Sequence, residues 1–330
     1  MMLSGISAYL SGKKKTVSET SGFLVKRGLW LIIVEILVMT LILSFDFKYK
    51  IIILNILWAL GTSMLILGLL VRFLPVKSIF IVGIVLVFGH NLLDFVKVIP
   101  DSPLDIFLSI FLTGAGKFIP RGDGGTIGIF YVILPWTGIM LSGYGLGQIY
   151  DKNIDVLKRK KLLLMLGIGG TFLFLILRLL NGYGDPSLWV PQKEEWRTVL
   201  SFFNVTKYPP SLLFTLMTLG PILILLAFTD STNNKFTKFV SVYGKVPFFY
   251  FIIHFLLIHI TSAIVVLLSG YTWEQATDEK LFFKFRPEDF GFELGWVYLI
   301  WISIVLVMYF PCKWFGKYKS GNKKWWLSYL

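Results

Sequence analysis

His90, Asn91 and Asp94 are the residues best suited to chemistry, in the string Phe88-Gly89-His90-Asn91-Leu92-Leu93-Asp94. The surrounding run, residues 78–100, is mostly Ile, Val, Leu, Phe and Gly. It is long enough to cross a bilayer, because a helix rises about 1.5 Å per residue and about 20 residues span the hydrocarbon. On one continuous helix His90 and Asp94 share a face, with Asn91 beside them. An imidazole, an amide and a carboxylate at membrane depth each cost several kcal/mol if unpaired. The cluster therefore faces protein or a hydrated cavity. It reads either as a base with its orienting acid or as a polar clasp between helices, and the spacing leaves both open.

Four other stretches are more polar or more kinked than spanning requires. Leu134-Pro135-Trp136-Thr137-Gly138 leads into Ser142-Gly143-Tyr144-Gly145-Leu146-Gly147. Pro135 is expected to break a helix midway, and the glycines admit a close helix neighbour or a ligand. Lys207-Tyr208-Pro209-Pro210-Ser211 opens a later apolar run, where free backbone N–H groups suit an anion or a carbonyl oxygen, or take a plain N-cap. All three histidines, His90, His254 and His259, fall in apolar runs. His254 and His259 are five apart, on different faces and without cysteine partners, so no metal site is expected. Glu35 is expected to pair with a nearby lysine or with Arg72.

These residues need a bilayer-spanning scaffold. The chain has 330 residues, 55% hydrophobic and only 15% charged, with a mean hydropathy of +0.73. A soluble domain carries about 25% charged residues. The apolar runs are helical in length, so the expected fold is all-α, a polytopic transmembrane bundle in a single domain over residues 1–330. Eight full spans are expected at 28–45, 51–70, 78–98, 126–146, 162–180, 211–228, 246–268 and 294–310, with residues 1–12 as a partial helix. One set of alternate loops holds 20 of the 32 basic residues. The positive-inside rule puts that set and both termini in the cytoplasm and makes 97–125, 178–210 and 270–293 outer loops. Two of these carry turn residues and aromatics, Asn181 to Pro186 with Trp189, and Tyr271-Thr272-Trp273, which suit a small external cap. The net charge of +13 follows from that topology and does not call for nucleic acid. Cys312 is the single cysteine and cannot form an internal disulfide.

Leu3-Ser4-Gly5-Ile6-Ser7-Ala8-Tyr9-Leu10 and Phe23-Leu24-Val25-Lys26-Arg27-Gly28-Leu29-Trp30-Leu31 add a further signal. Together with Gly89 to Asp94, Leu134-Pro135-Trp136, Gly143-Tyr144-Gly145, Tyr208 to Ser211 and Gly244-Lys245-Val246-Pro247, taken in that order, the chain resembles the bacterial branch of the heparan-alpha-glucosaminide N-acetyltransferase catalytic-domain family. The resemblance implies a membrane-embedded acyltransferase that moves an acyl group, typically acetyl from acetyl-CoA as co-substrate, to an amine or hydroxyl. Family members begin with a helix bearing a histidine. This chain resembles the part that follows it, so that histidine has no counterpart to carry over. Under this reading His90 is a base or polar relay, Asp94 its orienting acid, and Asn91 with Tyr208 or Ser211 the donors. Lys207, Trp136 and His254 complete the substrate site. Arg159, Lys160 and Lys161 either attract CoA phosphates or only set topology. The expected partners are the lipid bilayer and a sugar or envelope acceptor, without nucleic acid, in the cell membrane; homo-oligomerisation stays open. The rival class is a non-catalytic transporter or a scaffold for envelope polymer synthesis. A transporter would show inverted repeats, and none is evident.

Overall fold

The structure is a computed structural model that describes residues 1–113, 116–230 and 232–328. Its elements in chain order are α1 (Met2–Gly12), α2 (Val17–Val34), a π turn (Glu35–Met39), α3 (Thr40–Ser44), β1 (Ile51–Leu54), α4 (Ile56–Phe73) and α5 (Val76–Gly89). A 3-10 turn (His90–Phe95), α6 (Pro103–Leu108), a second π turn (Ser109–Thr113), β2 (Lys117–Pro120), β3 (Thr126–Ile129) and α7 (Leu134–Leu146) follow. Then come a 3-10 turn (Gly147–Tyr150), α8 (Val156–Leu180), α9 (Glu195–Phe203), α10 (Leu212–Thr229), α11 (Lys235–Gly244), α12 (Pro247–Leu268), α13 (Trp273–Ala276), α14 (Leu294–Gly321) and a terminal 3-10 turn (Trp325–Ser328). The strands pair in the order β1-β3-β2.

Among the described residues seven helical segments are long and apolar enough to cross a membrane: Val17–Ser44, Ile56–Phe73, Val76–Phe95, Val156–Leu180, Leu212–Thr229, Pro247–Leu268 and Leu294–Gly321. The fold is an all-α polytopic bundle, as expected. The run 126–146 is not the eighth continuous span that its hydropathy suggests. Thr126–Ile129 is a strand and the helix begins only at Leu134. Pro135 lies in the first turn of α7, where its missing N–H costs nothing, and so it starts this helix rather than breaking it. The run 51–70 divides in the same way, with Ile51–Leu54 in β1 and the helix starting at Ile56.

The chain forms two compact units. The first holds Met1–Ile33, Leu54–Ile119 and Gly128–Thr232. In it α7 is the hub, packed by α1, α4 and α5, while α8 pairs with α10. The small residues of α7 serve close helix packing. A Cβ added at Gly5 would sit 2.1 Å from the Met140 carbonyl oxygen, and one at Gly143 would sit 2.2 Å from that of Met2. Such backbone proximity is open only to glycine. Ser63 and Thr137 join α4 to α7 through their hydroxyls, 2.9 Å apart.

The second unit holds Val34–Ile53, Pro120–Ile127 and Asn233–Leu330. Here α12 and α14 pack around Val246, Ile304, Met308 and Cys312. The Tyr243 hydroxyl donates to the Val305 carbonyl at 2.7 Å. His259 lies between two carbonyl oxygens, Ile42 at 2.7 Å from Nδ1 and Lys284 at 2.9 Å from Nε2, and its ring stacks on Phe45.

Candidate functional site

The site grows from the end of α5. Gly89 is a weak helix former, and beyond it the chain tightens into the His90–Phe95 3-10 turn. In a 3-10 helix residues three apart eclipse. Asn91 therefore meets Asp94, and its Nδ2 donates to Asp94 Oδ2 at 2.6 Å. The expected pairing of His90 with Asp94 needed four-residue spacing on a continuous α-helix, and the change of helix type removes it. His90 is buried with both ring nitrogens within hydrogen-bond distance of backbone carbonyls, and the nitrogen that carries the proton donates. Nδ1 lies 3.0 Å from the Leu86 oxygen and 3.1 Å from that of Val87, and Nε2 lies 2.9 Å from that of Pro210. His90 thus ties the end of α5 to the segment that opens α10.

That segment is held from several sides. Ser211 is the N-cap of α10, and its Oγ accepts from the Phe214 N–H at 2.9 Å. The Leu212 N–H donates to Asn91 Oδ1 at 2.8 Å. The helix N–H groups expected to suit a ligand oxygen are therefore taken up internally. Ser211 Oγ also donates to Asp185 Oδ2 at 2.6 Å. Asp185 is buried and accepts from the Thr206 N–H, the Thr206 hydroxyl and the Ser187 N–H as well, at 2.8–2.9 Å. Arg178, 1% exposed, is the second fastener of the 181–211 loop. Its guanidinium donates to the carbonyls of Phe202, Ser187, Ser201 and Asn204 at 2.8–3.1 Å. The cap expected around Asn181 and Trp189 exists in this form, with the Asn181 amide and the Trp189 backbone exchanging two hydrogen bonds.

Two pairs of side chains lie next to these residues in sequence: Asp94 beside Tyr183, and Lys207 beside Tyr208. Asp94 is exposed. The Tyr183 hydroxyl donates to the Phe88 carbonyl. Burial, with the Asp94 charge as a second cause, pushes the Tyr183 phenol up, so it stays a donor at neutral pH. Burial also pushes the Tyr208 phenol up, but hydrogen bonds to Tyr131 and Lys207 and the lysine charge outweigh it, and the net direction is down. The Tyr208 ring meets Tyr131 edge-on, Tyr131 stacks on Trp136, and the Lys207 ammonium lies 4.9 Å from the Tyr208 ring centre. The Trp136 Nε1–H is buried without an acceptor among the described residues.

His90, Asn91, Asp94, Trp136, Lys207, Tyr208 and Ser211 thus all belong to the first unit, and hydrogen bonds and ring contacts link most of them. His254 belongs to the second unit, where its Nδ1 lies 2.9 Å from the Tyr250 carbonyl and its ring stacks on Tyr250. Asp185, Arg178, Tyr183 and Tyr131 were missed. Asp185 and Tyr183 sit in the Asn-Gly-Tyr-Gly-Asp turn already noted, and Arg178 is an arginine inside an apolar run, which is itself a signal. In the basic cluster Arg159 is committed to Asp230 at 2.6 Å, and the Lys160 ammonium lies over the Phe228 ring.

Neither curated proteins nor solved structures gave a match. A family model does match, described as the heparan-alpha-glucosaminide N-acetyltransferase catalytic region, over residues 1–177. That stretch is more than half of the chain and contains His90, Asn91, Asp94 and Trp136. A multi-pass helical bundle with a polar knot at the end of one span fits such a match, and the chain belongs to this family of membrane acetyltransferases.

Proposed function

We propose that the protein transfers an acetyl group from acetyl-CoA to an amine or hydroxyl of a sugar or envelope acceptor at the rim formed by Asp94, Tyr183 and Tyr208. The observation that carries this is the division of labour among the polar groups. His90, Asn91 and Ser211 spend their hydrogen bonds on fixing the scaffold, whereas the Asp94 carboxylate is exposed beside them on a short, bonded tether. Asp94 therefore takes the role of base, and His90 becomes a positioning residue.

In the reaction the acceptor nitrogen or oxygen attacks the thioester carbonyl carbon. The carbon–sulfur bond breaks, the acceptor proton passes to Asp94, and the thiolate leaves with CoA. The Tyr208 phenol, and the Trp136 N–H that lacks an acceptor among the described residues, are the donors offered to a developing oxyanion. Arg159 is paired with Asp230, and Lys160 and Lys161 lie at the opposite end of α8 from the 181–211 loop, so this cluster sets topology rather than meeting CoA at the rim. Purified protein should consume acetyl-CoA thioester in proportion to added amine acceptor. Thioester loss that is independent of every acceptor would refute transfer.

The loop charges support a cytoplasmic side for Lys158 to Lys161 and an outer side for 181–211, within the cell membrane. Lys158, in the first turn of α8, and Lys193, in the loop beyond its other end, are exposed. A cysteine at Lys193 should react with an impermeant maleimide added to whole cells, and one at Lys158 should not; native Cys312 is buried. The opposite pattern would invert the topology.

A further inference from the structure

The first unit contains an apolar slot of about 300 Å³ between α5, α7, α8 and α10. One end reaches Val87, Phe88 and Thr215, and the other reaches Phe80, Leu146 and Leu223. At the first end the Val87 carbonyl faces His90, the Phe88 carbonyl takes the Tyr183 hydroxyl, and the Thr215 N–H bonds the Ser211 carbonyl. The slot therefore abuts the polar rim. Its length, from Phe80 to Phe88 along α5, is about 12 Å.

The slot is open on the side of α8, where Met165 and Leu166 are 59% and 40% exposed. That surface belongs to a bilayer-spanning helix, so the slot continues the lipid-facing surface. Gly169 and Gly170 create its width. A Cβ built on Gly169 meets nothing within 4 Å, and one on Gly170 meets atoms only at 3.8 Å. Their role thus differs from that of Gly5 and Gly143, which permit helix contact. A narrow, apolar, laterally open slot ending at polar donors and a carboxylate matches a linear amphiphile.

We propose that the slot holds one hydrocarbon chain of a membrane lipid, with the lipid headgroup at the Asp94–Tyr183 rim, so that the acetyl acceptor is a lipid-borne amine or hydroxyl. The acceptor assignment rests on the acetyl-transfer reading; the chain site does not. It follows that a leucine at position 169 or 170 fills the slot without displacing a helix, and it also favours α8 over glycine.

The test uses the full chain in mild detergent with added phosphatidylethanolamine, a lipid with an amine headgroup, and native mass spectrometry to count retained lipid. Wild type should retain one molecule through detergent exchange. Gly169→Leu and Gly170→Leu should each retain about tenfold less at a melting temperature no lower than that of wild type. Ile168→Phe, which adds bulk on the exposed side outside the slot, should behave as wild type. Equal retention in all four proteins would overturn the chain site, even if acetyl transfer proceeds. A second arm compares acetylation of phosphatidylethanolamine and of water-soluble glucosamine. The filled variants should lose the first and keep the second. Lipid retention that responds as expected, with no acetylation of either amine, would overturn the acceptor assignment and the transfer reading while upholding the chain site.

Discussion

Arg178→Met should cause the largest loss of stability of any single change in the first unit. The guanidinium is 1% exposed and satisfies four loop carbonyls, those of Phe202, Ser187, Ser201 and Asn204. Methionine fills similar space but donates nothing. The four bonds are part-buried and two of the carbonyls belong to the exposed residues Ser187 and Asn204, so water replaces some of them and a loss on the order of 2 kcal/mol is expected. Arg178→Lys should recover only a fraction, because an ammonium is a point charge and cannot reproduce a planar fork aimed at several carbonyls. Melting in detergent and limited proteolysis of the 181–211 loop provide the readouts. An Arg178→Met protein with wild-type melting and an uncut loop would refute the latch. The Trp189 indole N–H donates to the backbone carbonyl of residue 178 at 2.8 Å, which the substitution leaves in place.

The latch also marks the limit of what the sequence reveals. Apolar length and loop charge suffice for the spans, because both are set by the solvent a helix meets. Seven of the eight expected spans correspond to helical segments long and apolar enough to cross, with shifted ends. The failure at 126–146 is local. Hydropathy does not separate an apolar strand from an apolar helix, and Pro135 carries opposite meanings at a helix start and in mid-helix. The polar knot was legible as a cluster but not as a set of bonds. The chemistry of His90 and Asp94 depends on whether residues 90–95 wind as an α-helix or a 3-10 helix. A one-residue difference in hydrogen-bond register moves Asp94 from His90 to Asn91. Arg178 binds carbonyls 9–26 residues away in sequence and Asp185 binds Thr206 and Ser211, 21 and 26 residues away, and such contacts leave no periodic trace.

Asp94→Asn and His90→Gln should separate chemistry from scaffold. Asp94 is exposed and its known contact is an accepted hydrogen bond from Asn91, which an asparagine oxygen still accepts. Asp94→Asn should therefore leave the melting temperature unchanged and lower acetyl transfer by about 100-fold or more, the usual scale for a lost general base. It should also remove the acid limb of the pH–rate profile. A carboxylate base works only when ionised, so wild-type turnover falls as pH drops through its pKa, while an amide has no such limb. His90→Gln should do the reverse. Its ring ties Leu86 and Val87 to Pro210, and glutamine cannot span both ends, so the melting temperature should fall by an amount matching about 1–3 kcal/mol. Turnover of the protein that remains folded should fall only modestly, and its pH profile should keep the wild-type shape. If instead His90→Gln abolishes turnover at an unchanged melting temperature while Asp94→Asn stays active, the proton passes through the imidazole. The Nε2–Pro210 contact would then have to open during each cycle, and the 181–211 latch would move with it.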